Sequence, residues 1–394
     1  MARQELTRYD EEATRTGRSS ILLVVGLLLG LVALALALIF LADRSGAQNL
    51  LADIYSALGN SSGARELRQG QGDQFIAKVL MATIAIVVGV GGIWLVYAGA
   101  NAVIESLGSK WRSRLVPWLF VGPALLLLTV FLVWPLVRTI WASLTADGGL
   151  SSNYGAIFDD PTMLTVIRNN ILWLVVATAG SVGLGLIIAG LFDRVKREAL
   201  AKTFVFLPLA ISLVGASVIF LFVYAWAPPG QPQYGLLNAV WTGLGGEPVA
   251  WVQANSPMNT LFLIVIMIWL QTGFAMVVLS AAIKGVSIEI IEAAQLDGAS
   301  ERQVFFRIIV PNIIGSITVV AVTIAIAVMK IFDIVWVMTG GKWETDVVAN
   351  RMFIEMFMFF REGRASALAV VLFVAVIPIM IVNIRRIRRQ GVGA

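Results

Sequence analysis

Eight apolar runs, each close to the length that crosses a lipid bilayer, constrain this chain of 394 residues more than any other feature. A spanning helix needs about 20 consecutive, mostly apolar residues. The runs cover 21–42, 79–99, 116–137, 171–192, 204–226, 260–283, 313–338 and 365–384. The expected fold class is therefore an all-α polytopic membrane protein with about eight transmembrane helices. Arg15 and Arg18 precede the first run and give it the look of a signal peptide. Its apolar stretch exceeds the usual h-region of about 7–15 residues, which favours an uncleaved anchor.

Composition agrees. Residues are 58% apolar and 13% charged, against about 25% charged in soluble domains. The placement of Lys and Arg then sets orientation, because cytoplasmic loops collect them. With the N-terminus inside, 18 of the 29 fall on the cytoplasmic side and nine outside; Lys78, at the edge of a span, and Lys330, within one, complete the count. Both termini come out cytoplasmic, and the net charge of +5 reads as membrane orientation rather than nucleic-acid binding.

Four parts follow from this layout. Residues 1–20 form a polar cytoplasmic tail, and 21–115 hold two extra N-terminal spans with an external loop, 43–74. Residues 116–386 form a six-span core with a cytoplasmic loop at 284–312, and 387–394 a second tail. Within 43–74, LLADIYSALG has helical spacing and either lies on the outer surface or serves as a linker. Loop 227–259 is rich in Pro and Gly and lacks Lys and Arg, as an external irregular segment would. Loop 339–364, which opens TGGKWE, is the other external candidate. Each is either a docking surface or packing between spans.

Enzymatic chemistry loses most of its candidates. The chain has no Cys and no His, which removes the thiol nucleophile, the usual general base and the commonest metal ligand. No Gly-x4-Gly-Lys-Ser/Thr phosphate loop occurs. Gly341-Lys342 fails as one because Trp336 stands where the first glycine belongs. Energy for any pumping must come from another subunit.

The polar-interrupted stretch 288–311 carries the most specific local chemistry. Ile288, Ile291 and Ala294 make one apolar edge, and Gly298 stands where a left-handed residue ends a helix. Ser300 with Gln303 forms a capping box that opens a second helix, with Val304, Phe305, Ile308 and Ile309 as its apolar face. Two short helices joined by a turn, at a membrane surface, are expected.

This stretch resembles the EAA loop of permease subunits in bacterial ABC importers. The family pattern is Glu-Ala-Ala, three residues, Gly, nine residues, Ile, any residue, Leu-Pro. Glu292, Ala293, Ala294, Gly298, Ile308 and Pro311 match at every spacing, with Val310 in place of Leu. Alanines, glycine and proline at fixed offsets over twenty residues seldom coincide, so the match is specific. The likeness runs from about Trp118 to Arg386, including IWLQTGFAMVVLSAAIKGV and KIFDIVWVMTGGKWE, and is strongest toward α-glucoside permeases of the maltose type. It implies a type I importer core, of the larger membrane subunit with extra N-terminal spans. It also implies an ATPase dimer, a second, different permease, an external sugar-binding protein and the inner membrane of a bacterium. No cofactor is expected on this chain; ATP and magnesium belong to the ATPase. By resemblance the ATPase-coupling residues are Glu292, Ala293, Ala294, Asp297, Gly298 and Pro311.

Polar groups within spans are the remaining candidates. Lys330 and Asp333, at i and i+3 on an assumed helix, read as an intramembrane ion pair. Their role is either structural or part of a sugar path. By resemblance to the maltose permease, the substrate-facing stretches fall on Leu270, Gln271 and Phe274, then on Ile324, Ala327, Val328 and Ile331. The second group is apolar here, which departs from that permease. Leu270, Gln271, Phe274, Ile331 and Trp336 are the candidate path residues, each with helix packing as its alternative.

The expected function is an ATP-driven sugar importer's permease working by alternating access, for an α-glucoside or maltose-like oligosaccharide. Trehalose, sucrose and glucosylglycerol are alternative substrates. An ion-coupled secondary transporter is the rival class and would show inverted repeats and coupling acids.

Overall fold

The structure is a computed structural model that describes residues 52–68, 109–192, 197–253 and 256–391, with scattered single positions from 83 to 101. The tail 1–20, span 21–42 and most of span 79–99 lie outside the described residues. Among those described, helices account for all regular structure and no strand occurs. The chain divides into two units, 1–134 and 135–394.

In the first unit, residues 52–57 are helical, as LLADIYSALG suggested. Helix α1 follows, Ser61–Arg68. Asn60 Oδ1 accepts from Gly63 N at 3.0 Å and so opens α1. Arg68 pairs with Asp53 at 2.6 Å, tying the two short helices together at an exposed site. Further on, α2 (Ser109–Leu128) leads through a π-helical turn, Thr129–Val133, into α3 (Trp134–Thr145). The apolar span here is Ala124–Thr145, eight residues later than the run at 116–137.

The second unit continues with α4 (Gly149–Phe158), α5 (Pro161–Leu172) and α6 (Thr178–Phe192). Asp160 caps α5 by accepting from Thr162 N at 2.8 Å, and Pro161 sits at the first helical position. That hydrogen bond holds the Asp160 carboxyl below its ordinary pKa. Next come α7 (Glu198–Phe206), α8 (Leu213–Val223), α9 (Leu236–Gly243) and α10 (Met258–Lys284). The 284–312 loop follows as α11 (Ile288–Leu296), α12 (Glu301–Val304) and α13 (Val310–Asn312). The chain ends with α14 (Ile314–Met329), α15 (Asp333–Met338), α16 (Val348–Phe357) and α17 (Glu362–Gly391).

Four helices are long and apolar enough to cross a membrane: Ala124–Thr145, Pro161–Phe192, Met258–Lys284 and Glu362–Ile381. Two bent pairs raise the total to six among the described residues. Half of the apolar window of α10 is buried and none of Ala124–Thr145, so α10 is the central helix. Its Leu263, Met267, Leu270, Met276 and Leu279 form the core with Trp173, Ile324, Val328 and Ile331. The α6 backbone comes closest at Gly185, where an added Cβ would stand 2.5 Å from that of Ala275.

Two expected spans are broken. Residues 204–226 become α7 and α8, bent by 100°. Pro208 lies in a 3₁₀ turn, Leu207–Ala210, and Ile211 and Ser212 turn extended before Ser212 caps α8. Residues 313–338 become α14 and α15, separated at Lys330–Phe332. The second halves, α8 and α15, pack on each other. At the end, α17 passes through Pro378 and stays helical to Gly391.

Candidate coupling loop and substrate path

The turn of the 284–312 loop is built by local chemistry. Gly298 has φ +83°, the left-handed region. Gly298 N donates to Gln295 O and Ala299 N to Ala294 O, both at 3.0 Å. These two bonds define a Schellman motif closing α11. Two residues on, Ser300 and Gln303 form the reciprocal capping box of α12, with Ser300 N donating to Gln303 Oε1 at 2.8 Å. Helix, left-handed turn and capped helix thus stand as the residue types require.

The loop splits its apolar residues between two sides. Val304 is buried and Phe305 reaches α6, where a Cβ on Gly190 would meet its ring at 2.6 Å. Ile288, Ile290, Leu296 and Phe306 remain exposed, Leu296 at 89%. Glu292, Ala293, Asp297, Gly298 and Pro311 are exposed on the same element, and Ala294 is half-buried. Ser287 hydrogen-bonds Glu289 and lowers its pKa from the usual carboxylate range.

A charged cluster, not anticipated from the sequence, ties this end of α10 to α7. Glu198 accepts from Lys202 and lies 2.7 Å from Lys284 Nζ, while Lys202 also bonds Ser280. Lys284 is the last residue of α10, immediately before the coupling loop. The i,i+4 spacing of Glu198 and Lys202 is visible in the sequence; the link to residue 284 is not.

The candidate path residues do not form one site. Leu270 and Ile331 are both buried in the core with Ile324 and Val328, and Phe274 packs against it. Gln271 is half-buried and Ala327 exposed. Trp336 belongs to a separate aromatic cluster, stacked on Phe332 with centroids 5.7 Å apart and edge-on to Phe353. The Lys330–Asp333 pair does not form among the described residues. Lys330 is the exposed C-cap of α14 and Asp333 begins α15, so the helix that would align them is interrupted.

Buried asparagines fix the segment that follows α15. Asn169 Nδ2 donates to Glu344 O and Asp346 O at 2.7 and 2.9 Å. Asn259 Nδ2 donates to Trp343 O at 2.6 Å, and Val348 N to Asn170 Oδ1 at 2.7 Å. Trp343 and Glu344 are held at φ +56° and +58°, a conformation that non-glycine residues adopt at a cost. Burial raises the Asp346 carboxyl above its ordinary pKa, although it accepts from Val347 N and Asn350 Nδ2.

Comparison with known proteins places this arrangement. Residues 181–391 match the family of binding-protein-dependent transport system inner membrane components. The chain belongs to that family. It is thus a multi-pass inner-membrane permease component of ABC transporters rather than an enzyme. The permease is 45% identical over 335 residues to the alpha-glucoside transport system permease protein AglF of Rhizobium meliloti. That match covers 82% of this chain and 99% of AglF. It is 51% identical over 278 residues to the osmoprotective compounds uptake permease protein GgtC of Synechocystis. That match covers 69% of this chain and 99% of GgtC. A crystal structure of a bacterial ABC transporter for alginate import aligns at TM-score 0.62 and 21% identity. It covers 72% of this permease and 99% of the solved chain, and it carries the fold alone, that of a type I ABC permease.

Proposed function

We propose that this permease carries an uncharged α-glucoside across the inner membrane by alternating access, driven by ATP hydrolysed in a partner ATPase dimer. The observation that carries the substrate class is the 45% identity to AglF over nearly all of AglF's length. A second reading, uptake of a compact glucoside osmolyte such as glucosylglycerol, rests on the 51% identity to GgtC.

In this reading α11 and the turn at Gly298 dock in a groove of the ATPase, with Glu292 as the polar contact. The exposed Ile288, Leu296 and Phe306 supply apolar surface for that contact. ATP closes the ATPase dimer and moves the loop. Phe305 against α6 and the Glu198–Lys284 pair against α7 pass the movement to the spans. A second, different permease completes the pathway, and an external sugar-binding protein delivers the glucoside to the opposite face. Both termini lie in the cytoplasm in this arrangement, and magnesium acts with ATP in the partner. Gln271, Phe274 and Trp336 are the groups along the path able to meet a sugar, and Leu270 and Ile331 form its packed wall.

ATP-dependent accumulation of radiolabelled maltose by proteoliposomes carrying the assembled complex tests this. Accumulation that requires ATP and the binding protein is expected; uptake driven by an ion gradient without ATP contradicts it.

A further inference from the structure

A cavity of about 200 Å³ opens where α8 ends, at the far end of α10 from the coupling loop. At about 1.5 Å per residue, the 27 residues of α10 put some 40 Å between the two. Tyr224, Trp226, Tyr234, Trp251, Gln253 and Trp343 line it. Pockets that enclose drug-sized ligands run to roughly 300–1,000 Å³, so this one has room for a single ring and not for a chain of them. No Asp, Glu, Lys or Arg is in its wall, which leaves nothing to neutralise a charged ligand.

The wall is built rather than incidental. Trp343 stands in its left-handed backbone conformation because buried Asn259 holds its carbonyl at 2.6 Å and buried Asn169 holds that of Glu344. Tyr224 donates to Phe262 O at 3.0 Å, and Trp251 packs edge-on against Phe262 with centroids 5.1 Å apart. The Trp251 indole N–H is buried with no hydrogen-bond partner among the described residues.

We infer that this cavity is an outer glycosyl subsite, which takes one uncharged pyranose ring as the glucoside enters the permease. Aromatic faces suit the apolar C–H surface of a pyranose, while the exposed Gln253 amide and Tyr234 hydroxyl suit its ring hydroxyls. The subsite is distinct from the Gln271–Phe274 stretch and supplies the entry step. This inference rests on the importer reading given above.

The test uses the assembled complex in proteoliposomes, with maltose as probe and the Gln253→Ala, Trp343→Leu and Trp141→Leu variants. Gln253 is exposed, so its truncation leaves the fold intact even if Trp343→Leu disturbs the strained loop. Expected is a rise in the KM for maltose of about fivefold for Gln253→Ala, from one lost hydrogen bond. For Trp343→Leu the rise is about tenfold, from one lost ring face. The maximal rate and the affinity for the binding protein stay unchanged in both, and Trp141→Leu behaves as the parent. Unchanged KM in both variants, with active parent, overturns the subsite and leaves the importer reading standing. Weakened binding-protein affinity with unchanged KM assigns the cavity to a protein contact and overturns it as well. A parent complex that moves no α-glucoside would bring down the importer reading itself, and this inference with it.

Discussion

At Gly298 no atom lies within 4 Å of where a Cβ would stand, so the position demands a backbone conformation and not space. Asn visits the left-handed region readily, whereas a β-branched residue pays about 1–2 kcal/mol or more there. Gly298→Asn should therefore keep ATP-driven uptake close to that of the parent, and Gly298→Val should lose most of it. Both should reach the membrane at parental levels by immunoblot. Equal uptake in the two variants would remove the turn from the coupling mechanism. Asp346 makes a different demand. Its folded pKa lies above the unfolded value, so the folded state holds the proton more tightly. Stability should therefore rise as pH falls through that raised pKa, and the penalty of burying the charge is present above it. Asp346→Asn keeps an acceptor for Val347 and Asn350, and should abolish this slope in thermal unfolding followed from neutral to acid pH. A slope unchanged in the variant would place its origin elsewhere. The Gly298 turn and the Ser300 box were legible in the sequence because each depends on neighbours within five residues. Asp346 was not, since its burial depends on partners 177 positions away.

At the scale of elements, the hydrophobic runs located the core helices but not their interruptions. Pro208, which lacks an N–H to donate, stands at the break between α7 and α8. Nothing comparable marks 330–332, where apolar residues continue on both sides and the helix still ends at Met329. The ion pair at Lys330 and Asp333 followed from assuming an unbroken helix, and it fails where that assumption fails. Without a pair, the stability losses of Lys330→Met and Asp333→Leu should add to within about 0.5 kcal/mol in a double-mutant cycle. A coupling above about 1 kcal/mol would show that the two charges meet. The asparagine brace on 343–348 is the second test at this scale. Asn259→Leu strands the Trp343 carbonyl, at a cost of about 1–3 kcal/mol. Faster amide hydrogen exchange across 339–347, with α10 unaffected, is expected. Equal exchange in variant and parent would show that the brace does not hold the loop.

Over the whole molecule, the run lengths, the charge bias and one specific motif were enough to indicate an all-α permease, because each reads from sequence without long-range contacts. The cavity beside Trp251 was beyond reach: its walls come from residues 221, 224–226, 234, 250–253, 338 and 343, which only the fold assembles. The same holds for Glu198 and Lys284, 86 positions apart and joined at the root of the coupling loop. That loop has its motif intact and leaves Ile288, Ile290, Leu296 and Phe306 exposed at one end of α10. Gentle purification of the chain from its native membrane, with mass spectrometry of whatever stays bound, tests this most directly. Recovery of an ATPase, a second permease and a sugar-binding protein is the expected result. Recovery of the chain alone, still moving solute without ATP, would contradict it.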